Sequence, residues 1–186
     1  MSVDLFTYDF GVPPSEGSIF LAGPSISLPG SPFTPWRVEF VEALADAGWA
    51  GTVVIPEFAE KGDFQAQRTT RWGRTVVPPG VPSKPEAWGC LRWEEEAMAA
   101  VQLVVAWADF RDVQPGAGIN GRPELQGIME NAALRRKLVL GISDACTGAT
   151  RFWSLWDRHR EIPLARDLKG LINLTVARSL NPPCRV

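Results

Sequence analysis

Short apolar runs rich in β-branched residues alternate with amphipathic stretches along most of the chain. Four of these runs are five or six residues long, end at glycine, proline or polar residues, and are typical of strands buried on both faces of a parallel sheet. They cover residues 18–22, 51–55, 102–107 and 137–141. Apolar residues recur at helical spacing between them, which predicts helices over 36–47, 86–100 and 122–134. A short helix is predicted at 152–156, and residues 167–179 fit either a helix or an edge strand.

This alternation of strands and helices predicts the α/β class. Right-handed crossovers then give a three-layer sandwich around a parallel sheet of four strands, with a fifth possible, of the flavodoxin-like or Rossmann-like kind. The pattern contains no repeat and no domain boundary, so we expect one domain over residues 1–186. Residues 1–17 are interpreted as an N-terminal arm. Residues 57–86 lack a period and are interpreted as a flap over the functional site, the alternative being a disordered insertion.

Three predicted loops follow the ends of predicted strands. They begin at Gly23, Pro56 and Asp109, and parallel strands would bring them to one edge of the sheet. Open α/β sheets bind their ligands at this carboxyl edge. The third loop ends at Arg122-Pro123-Glu124, which is typical of a helix start because proline fits the first turn and an acid is favoured there. Glu124 is therefore expected at the ligand-binding edge.

Several common chemistries lack their residues in this chain. The turn at Gly23 has neither the Gly-x-Gly-x-x-Gly spacing of dinucleotide sites nor the Gly-Lys-Ser of phosphate loops. No Gly-x-Ser-x-Gly nucleophile motif is present. The single histidine, His159, excludes sites with several histidines, and the three cysteines are too far apart for a zinc pair. We therefore predict no metal and no organic cofactor.

Charge and composition restrict the partners. The chain is 45% hydrophobic and 22% charged, with a formal net charge of -2, which is typical of a globular protein and gives no overall attraction to nucleic acid or anionic membranes. No apolar run approaches the roughly 20 residues of a membrane span. Widely spaced cysteines are typical of reduced thiols, so a cytoplasmic location is expected. A basic segment from Lys61 to Arg74 still leaves open a hypothesis of nucleic-acid binding.

Carboxylates are the abundant chemical groups near the predicted edge. They are Glu57, Glu94, Glu95, Asp109, Asp112 and Glu124. An ionised carboxylate can attack the anomeric carbon of a glycoside while a second group handles the proton of the leaving group. The first helical turn favours the ionised form of Glu124, as a nucleophile requires. Acids are also common in first helical turns without any catalytic role, because they interact favourably with the helix dipole.

Five blocks of sequence, in the same order, extend this interpretation to a family. They are Ile19-Phe-Leu-Ala-Gly-Pro24, Trp36-Arg37 with Phe40 and Ala43-Leu44, Gly51-Thr-Val-Val-Ile-Pro56, Trp93-Glu94 with Glu96-Ala-Met98 and Val104-Val-Ala-Trp107, and Asn120-Gly-Arg-Pro-Glu124. Together they resemble the nucleoside 2-deoxyribosyltransferase family over roughly residues 19–141. The Phe-Leu-Ala-Gly-Pro turn is the most characteristic block.

The resemblance implies roles for particular residues. Glu124 would be the nucleophile at C1′ of a nucleoside, and Glu94, or its neighbour Glu95, would assist at the base. Gly23 and Pro24 would form the floor of the pocket. Asn120 and Arg122 would lie near the sugar or a 5′-phosphate. Gly118 stands where relatives often carry an acid, and Asp109 and Asp112 are the candidates to supply it.

The functional prediction is N-glycosyl transfer or hydrolysis on a deoxynucleoside or nucleotide. A non-catalytic nucleotide-sensing module on the same fold is the alternative. The expected partner is a small nucleoside or nucleotide rather than nucleic acid or membrane. Because relatives complete their pockets with a neighbouring chain, the resemblance also implies a homodimer or larger homo-oligomer.

Overall fold

A computed structural model describes residues 3–6, 16–24, 36–56, 87–110 and 121–180, with only the backbone at 87–91, 121 and 122. The strands are β1 (Val3–Phe6), β2 (Ser18–Ala22), β3 (Gly51–Val54), β4 (Leu103–Ala108), β5 (Leu138–Ile142) and β6 (Leu164–Ala165). The helices are α1 (Trp36–Asp46), α2 (Ala87–Ala100), α3 (Gly121–Glu130), α4 (Ala132–Arg135), α5 (Ala149–Asp157) and α6 (Leu168–Leu180).

These strands form a six-stranded parallel sheet, which confirms the predicted α/β class but with more strands than the four or five expected. The two strands that were not predicted are short. β1 lies within the segment interpreted as an arm and has only four residues, and β6 has two. Segments of this length carry too little alternation to be recognised as strands in a sequence. The predicted flap and Asn120 lie outside the described residues.

The chain divides into two compact units. The first comprises Met1–Leu21 and Ser27–Gln102, with strand order β1-β3-β2. Its parallel register pairs Val3 with Gly51 and Ser18 with Thr52. Trp93 of α2 links these strands to the helix layer, because its ring stacks on Phe6 at 6.4 Å between centroids and also lies 6.5 Å from Phe20.

The second unit comprises Ala22–Ile26 and Leu103–Val186, with strand order β4-β5-β6. Every residue of β4 and β5 is buried, as expected for strands covered on both faces. Ala165 faces α6, because a Cβ atom added at Gly170 of that helix would lie 3.4 Å from the Cβ of Ala165. The next residue, Arg166, lies over Trp153 of α5. Both α5 and α6 pack against β5.

Helix boundaries follow local capping. The helix predicted over 122–134 is divided at Asn131, where the backbone is extended. The side-chain Oδ1 of Asn131 accepts hydrogen bonds from the N–H groups of Ala133 and Leu134 and so caps the start of α4. Residues 168–180 form a helix rather than an edge strand. Within the described ranges, no helix is both long and apolar enough to cross a membrane.

Candidate functional site

The carboxyl ends of β4 and β5 are tied together by backbone hydrogen bonds. The N–H of Ser143 donates to the carbonyl of Ala108 at 3.0 Å, and the N–H of Thr147 donates to the carbonyl of Phe110 at 2.8 Å. The ring of Phe110 stacks on Phe152 of α5 at 5.7 Å between centroids. The first residues after each strand are therefore held in fixed positions, which is the first requirement for a site at this edge.

Glu124 lies in the first turn of α3, where the sequence predicts it. The helix follows β4, so its N-terminus stands at the carboxyl edge of the sheet. The residue is half-buried and its Oε1 atom is shielded from solvent. The side chain is therefore not simply a solvated surface acid.

The neighbours of Glu124 in α3 define the flank on which it lies. Leu125 and Ile128 are buried and mark the side of α3 that faces the core. Gln126 accepts a hydrogen bond from Arg151 of α5, so it marks the flank toward that helix. Positions i and i+2 of a helix are about 200° apart around its axis. Glu124 therefore lies on the flank opposite Gln126, away from α5.

Gly23 and Pro24 follow β2 and belong to the same compact unit as Glu124 and Asp109. Gly23 has a φ of 147°, in a region that side chains with a Cβ atom rarely adopt. Pro24 is buried, and Asp109 is half-buried just beyond β4. The second unit thus contains the acids Glu124 and Asp109 together with the Gly23-Pro24 turn.

The two acids predicted to assist at the base lie in the first unit, on α2. Glu94 is half-buried and Glu95 is exposed. The third acid of this run, Glu96, accepts from the exposed Arg92 at 2.8 Å. Glu94 is therefore the better shielded of the two candidates. Arg122 lies in the first turn of α3, and its side chain is outside the described atoms.

Ser143 is a candidate that the sequence did not reveal. It is 7% exposed and directly follows β5. Its Oγ accepts a hydrogen bond from the N–H of Ala145 at 3.2 Å, which leaves the hydroxyl proton to be donated. The available signal was its position as the first polar residue after a predicted strand. Serine in this position is also a common turn residue, so the signal is weak.

No three His, Cys, Asp or Glu side chains of the described ranges come close enough together to hold a metal ion.

The fold is that of a doubly wound α/β protein, with a shielded acid in the helix that follows β4. No protein-family model matches the chain, and no curated protein matches it in sequence. The likeness to nucleoside 2-deoxyribosyltransferases therefore rests on the five sequence blocks alone.

Proposed function

We propose that the protein breaks the N-glycosidic bond of a deoxynucleoside or deoxynucleotide, with Glu124 as the nucleophile. The observation that carries this proposal is the position of the Glu124 carboxylate. It lies in the first turn of α3, at the carboxyl edge of β4, with one oxygen shielded from water. An acid in solvent would be a weak nucleophile, whereas a shielded one loses less hydration when it attacks.

The chemistry needs two steps. In the first, a carboxylate oxygen of Glu124 donates an electron pair to C1′, and the C1′–N bond breaks with its electrons passing to the base, which takes up a proton. In the second, a new base or water attacks C1′ and releases Glu124, so transfer and hydrolysis differ only in the acceptor. Retention by a double displacement of this kind is the established use of a carboxylate nucleophile on glycosides.

The proton for the leaving base requires a second group. The resemblance gives this part to Glu94. Asp109 is the alternative acid, and it is half-buried in the same unit as Glu124. Separate Glu94→Gln and Asp109→Asn variants test these two assignments, because loss of a proton donor slows turnover of substrates with poor leaving bases more than of those with good ones.

Turnover of a substrate panel tests the nucleophile. Purified protein is incubated with deoxynucleosides and deoxynucleotides, with and without free bases, and released or exchanged base is measured by chromatography. We expect turnover in the wild type and a loss of at least about a thousandfold in Glu124→Gln. Glu130→Gln is the matched control, since Glu130 is an exposed acid at the other end of the same helix.

A covalent intermediate provides a second measurement. Peptide mass spectrometry of protein quenched during turnover should locate a sugar adduct on the peptide that contains Glu124. Binding of a nucleotide without turnover, equal in the wild type and Glu124→Gln, would replace the enzymatic proposal with the sensing module. An adduct on another acid would reject Glu124 as the nucleophile while keeping the reaction.

A further inference from the structure

Two tryptophans and two arginines form a continuous row on α5 and the segment that follows it. The row consists of Arg160, Trp156, Trp153 and Arg166. The guanidinium of Arg166 lies 4.9 Å from the ring centroid of Trp153, and that of Arg160 lies 5.7 Å from Trp156. The two indoles meet edge to face, with centroids 6.2 Å apart. Nε1 of Trp156 donates to the carbonyl of Ile162 at 3.0 Å, which fixes the row to the turn before β6.

The row lies on the flank of α5 that faces away from α3. Phe152 and Leu155 are buried and mark the core side of α5, while Arg151 reaches Gln126 of α3 and marks one flank. Trp153 is about 200° around the helix from Arg151, so it lies on the opposite flank. That flank borders β6, the last strand in the order of the sheet. Because Glu124 lies beyond α3, the row is separate from the candidate site.

The row offers hydrogen-bond donors and positive charge to solvent. Arg166 is exposed, and in the described part of the chain its guanidinium makes no hydrogen bond or ion pair and lies over the Trp153 ring. No atom in the described part of the chain accepts a hydrogen bond from Nε1 of Trp153, and this nitrogen is not buried. Arg160 shares its charge with Asp157 at 2.7 Å. Arg166 and Nε1 of Trp153 are therefore the groups of the row that a ligand with negative charge and hydrogen-bond acceptors would satisfy first.

We infer that the Arg160–Trp156–Trp153–Arg166 row docks an acidic segment of a partner protein, with carboxylates of that segment paired to the two guanidiniums. Tryptophan and arginine are the residues most enriched where protein interfaces concentrate their binding energy. A guanidinium already held against an indole loses less freedom on binding, and its planar fork matches a carboxylate. Charge complementarity thus selects an acidic partner.

Single-stranded nucleic acid is the competing anionic ligand, and the row fits it less well. Single-stranded nucleic acids bind proteins by stacking their bases on exposed aromatic faces. In the row, one face of each indole is covered by an arginine, and the two rings meet at 90° rather than presenting parallel platforms.

Binding of defined peptides to the full chain tests the inference. The probe is a fluorescently labelled peptide of alternating Glu and Leu, compared by anisotropy with the same peptide carrying Gln in place of Glu. We expect the acidic peptide alone to bind, and each of Arg160→Glu and Arg166→Glu to raise its dissociation constant about tenfold or more. Arg92→Glu is the control, because Arg92 is an exposed arginine on α2, away from the row.

Further variants separate docking from folding. Arg166→Lys keeps the charge and loses the planar fork, so we expect an intermediate loss of peptide affinity at an unchanged thermal midpoint. Trp153 and Trp156 fluorescence should change on addition of the acidic peptide in the wild type. Equal binding of the Gln peptide, no binding of either peptide, or affinity unchanged by both charge reversals would overturn the inference. Tighter binding of a ten-residue thymidine oligonucleotide would assign the row to nucleic acid instead.

Discussion

The indole of Trp107 in β4 covers Gly141, its register partner in β5. A Cβ atom added at Gly141 would lie 2.6 Å from Cζ3 of Trp107 and 3.1 Å from Cδ2 of Leu171 in α6. Contacts below 3.0 Å do not occur between real atoms of this kind, so one strand supplies a large side chain only because its neighbour has none. Trp107 and Leu171 thus occupy the space beside Gly141 between the sheet and α6.

Gly141→Ala should therefore destabilise the fold. The added methyl group must displace the Trp107 ring or Leu171 within a closely packed layer, which costs about 1–3 kcal/mol. Urea unfolding followed by circular dichroism measures the change. The double variant Gly141→Ala with Trp107→Leu should recover part of the loss, because the smaller side chain makes room for the new methyl group.

Gly127 is the matched control for this substitution. It lies in the exposed middle of α3, and a Cβ atom there would meet nothing within 4 Å. Gly127→Ala should stabilise the protein by about 0.5–1 kcal/mol, since alanine loses less backbone entropy in a helix. If both alanine variants shifted stability in the same direction, close packing at Gly141 would not be the cause.

The Trp107 and Gly141 strands were predictable from sequence, but their packing was not. Runs of β-branched residues define buried strands, because only a covered strand tolerates apolar residues at every position. The register that places Trp107 beside Gly141 depends on contacts between distant segments. The edge strands β1 and β6 escaped prediction because four and two residues carry no usable period.

For the candidate site too, the local elements were predictable from the sequence and the contacts between them were not. Pro123 and Glu124 after a predicted strand indicated a helix start at the carboxyl edge, and the structure has α3 there. The flank on which Glu124 lies required the contacts of Gln126 and the buried positions of α3. Local sequence also failed to show that Asn131 divides the helix. Asparagine favours caps over helix interiors, but the apolar pattern continues past it through Leu134.

The turn after β2 should be sensitive to the loss of glycine. At a φ of 147°, Gly23 adopts a backbone conformation that is strained for every other residue, and proline at position 24 further restricts it. Gly23→Ala should lower the free energy of unfolding by about 1–3 kcal/mol. The measurement is chemical denaturation beside Gly127→Ala, and a change no larger than that of an ordinary surface substitution would show that the turn readily rearranges.

Burial lowers the pKa of Lys137 from its ordinary value, because the ammonium group is partly removed from water just before β5. The unfolded chain therefore binds more protons than the folded one between the lowered pKa and the ordinary pKa of lysine. Stability from this residue rises with pH across that alkaline window and is constant below it.

Lys137→Met should remove this dependence of stability on pH. The variant should gain stability over the wild type most clearly near neutral pH, where the buried ammonium is still charged, and the difference should shrink as pH rises through the window. Unfolding midpoints measured across that range provide the test, with Lys169→Met as the control at an exposed lysine of α6. A difference that stayed constant with pH would mean that shape, not charge, governs this position.

The start of α6 depends on Asp167. Its carboxylate accepts a hydrogen bond from the N–H of Gly170 at 2.6 Å, and its carbonyl accepts from Leu171 at 3.0 Å, so the residue caps the helix that covers β5 and β6. Asp167→Ala should cost about 1 kcal/mol, and Asp167→Asn less, because the amide oxygen keeps the cap and only the charge near the helix dipole is lost. Asp157→Ala removes an equally exposed acid whose partner is a surface arginine, and it should change stability by less than about 0.5 kcal/mol. Thermal unfolding of the three variants ranks them. Equal losses for the two alanine variants would assign the effect to surface charge instead of the cap.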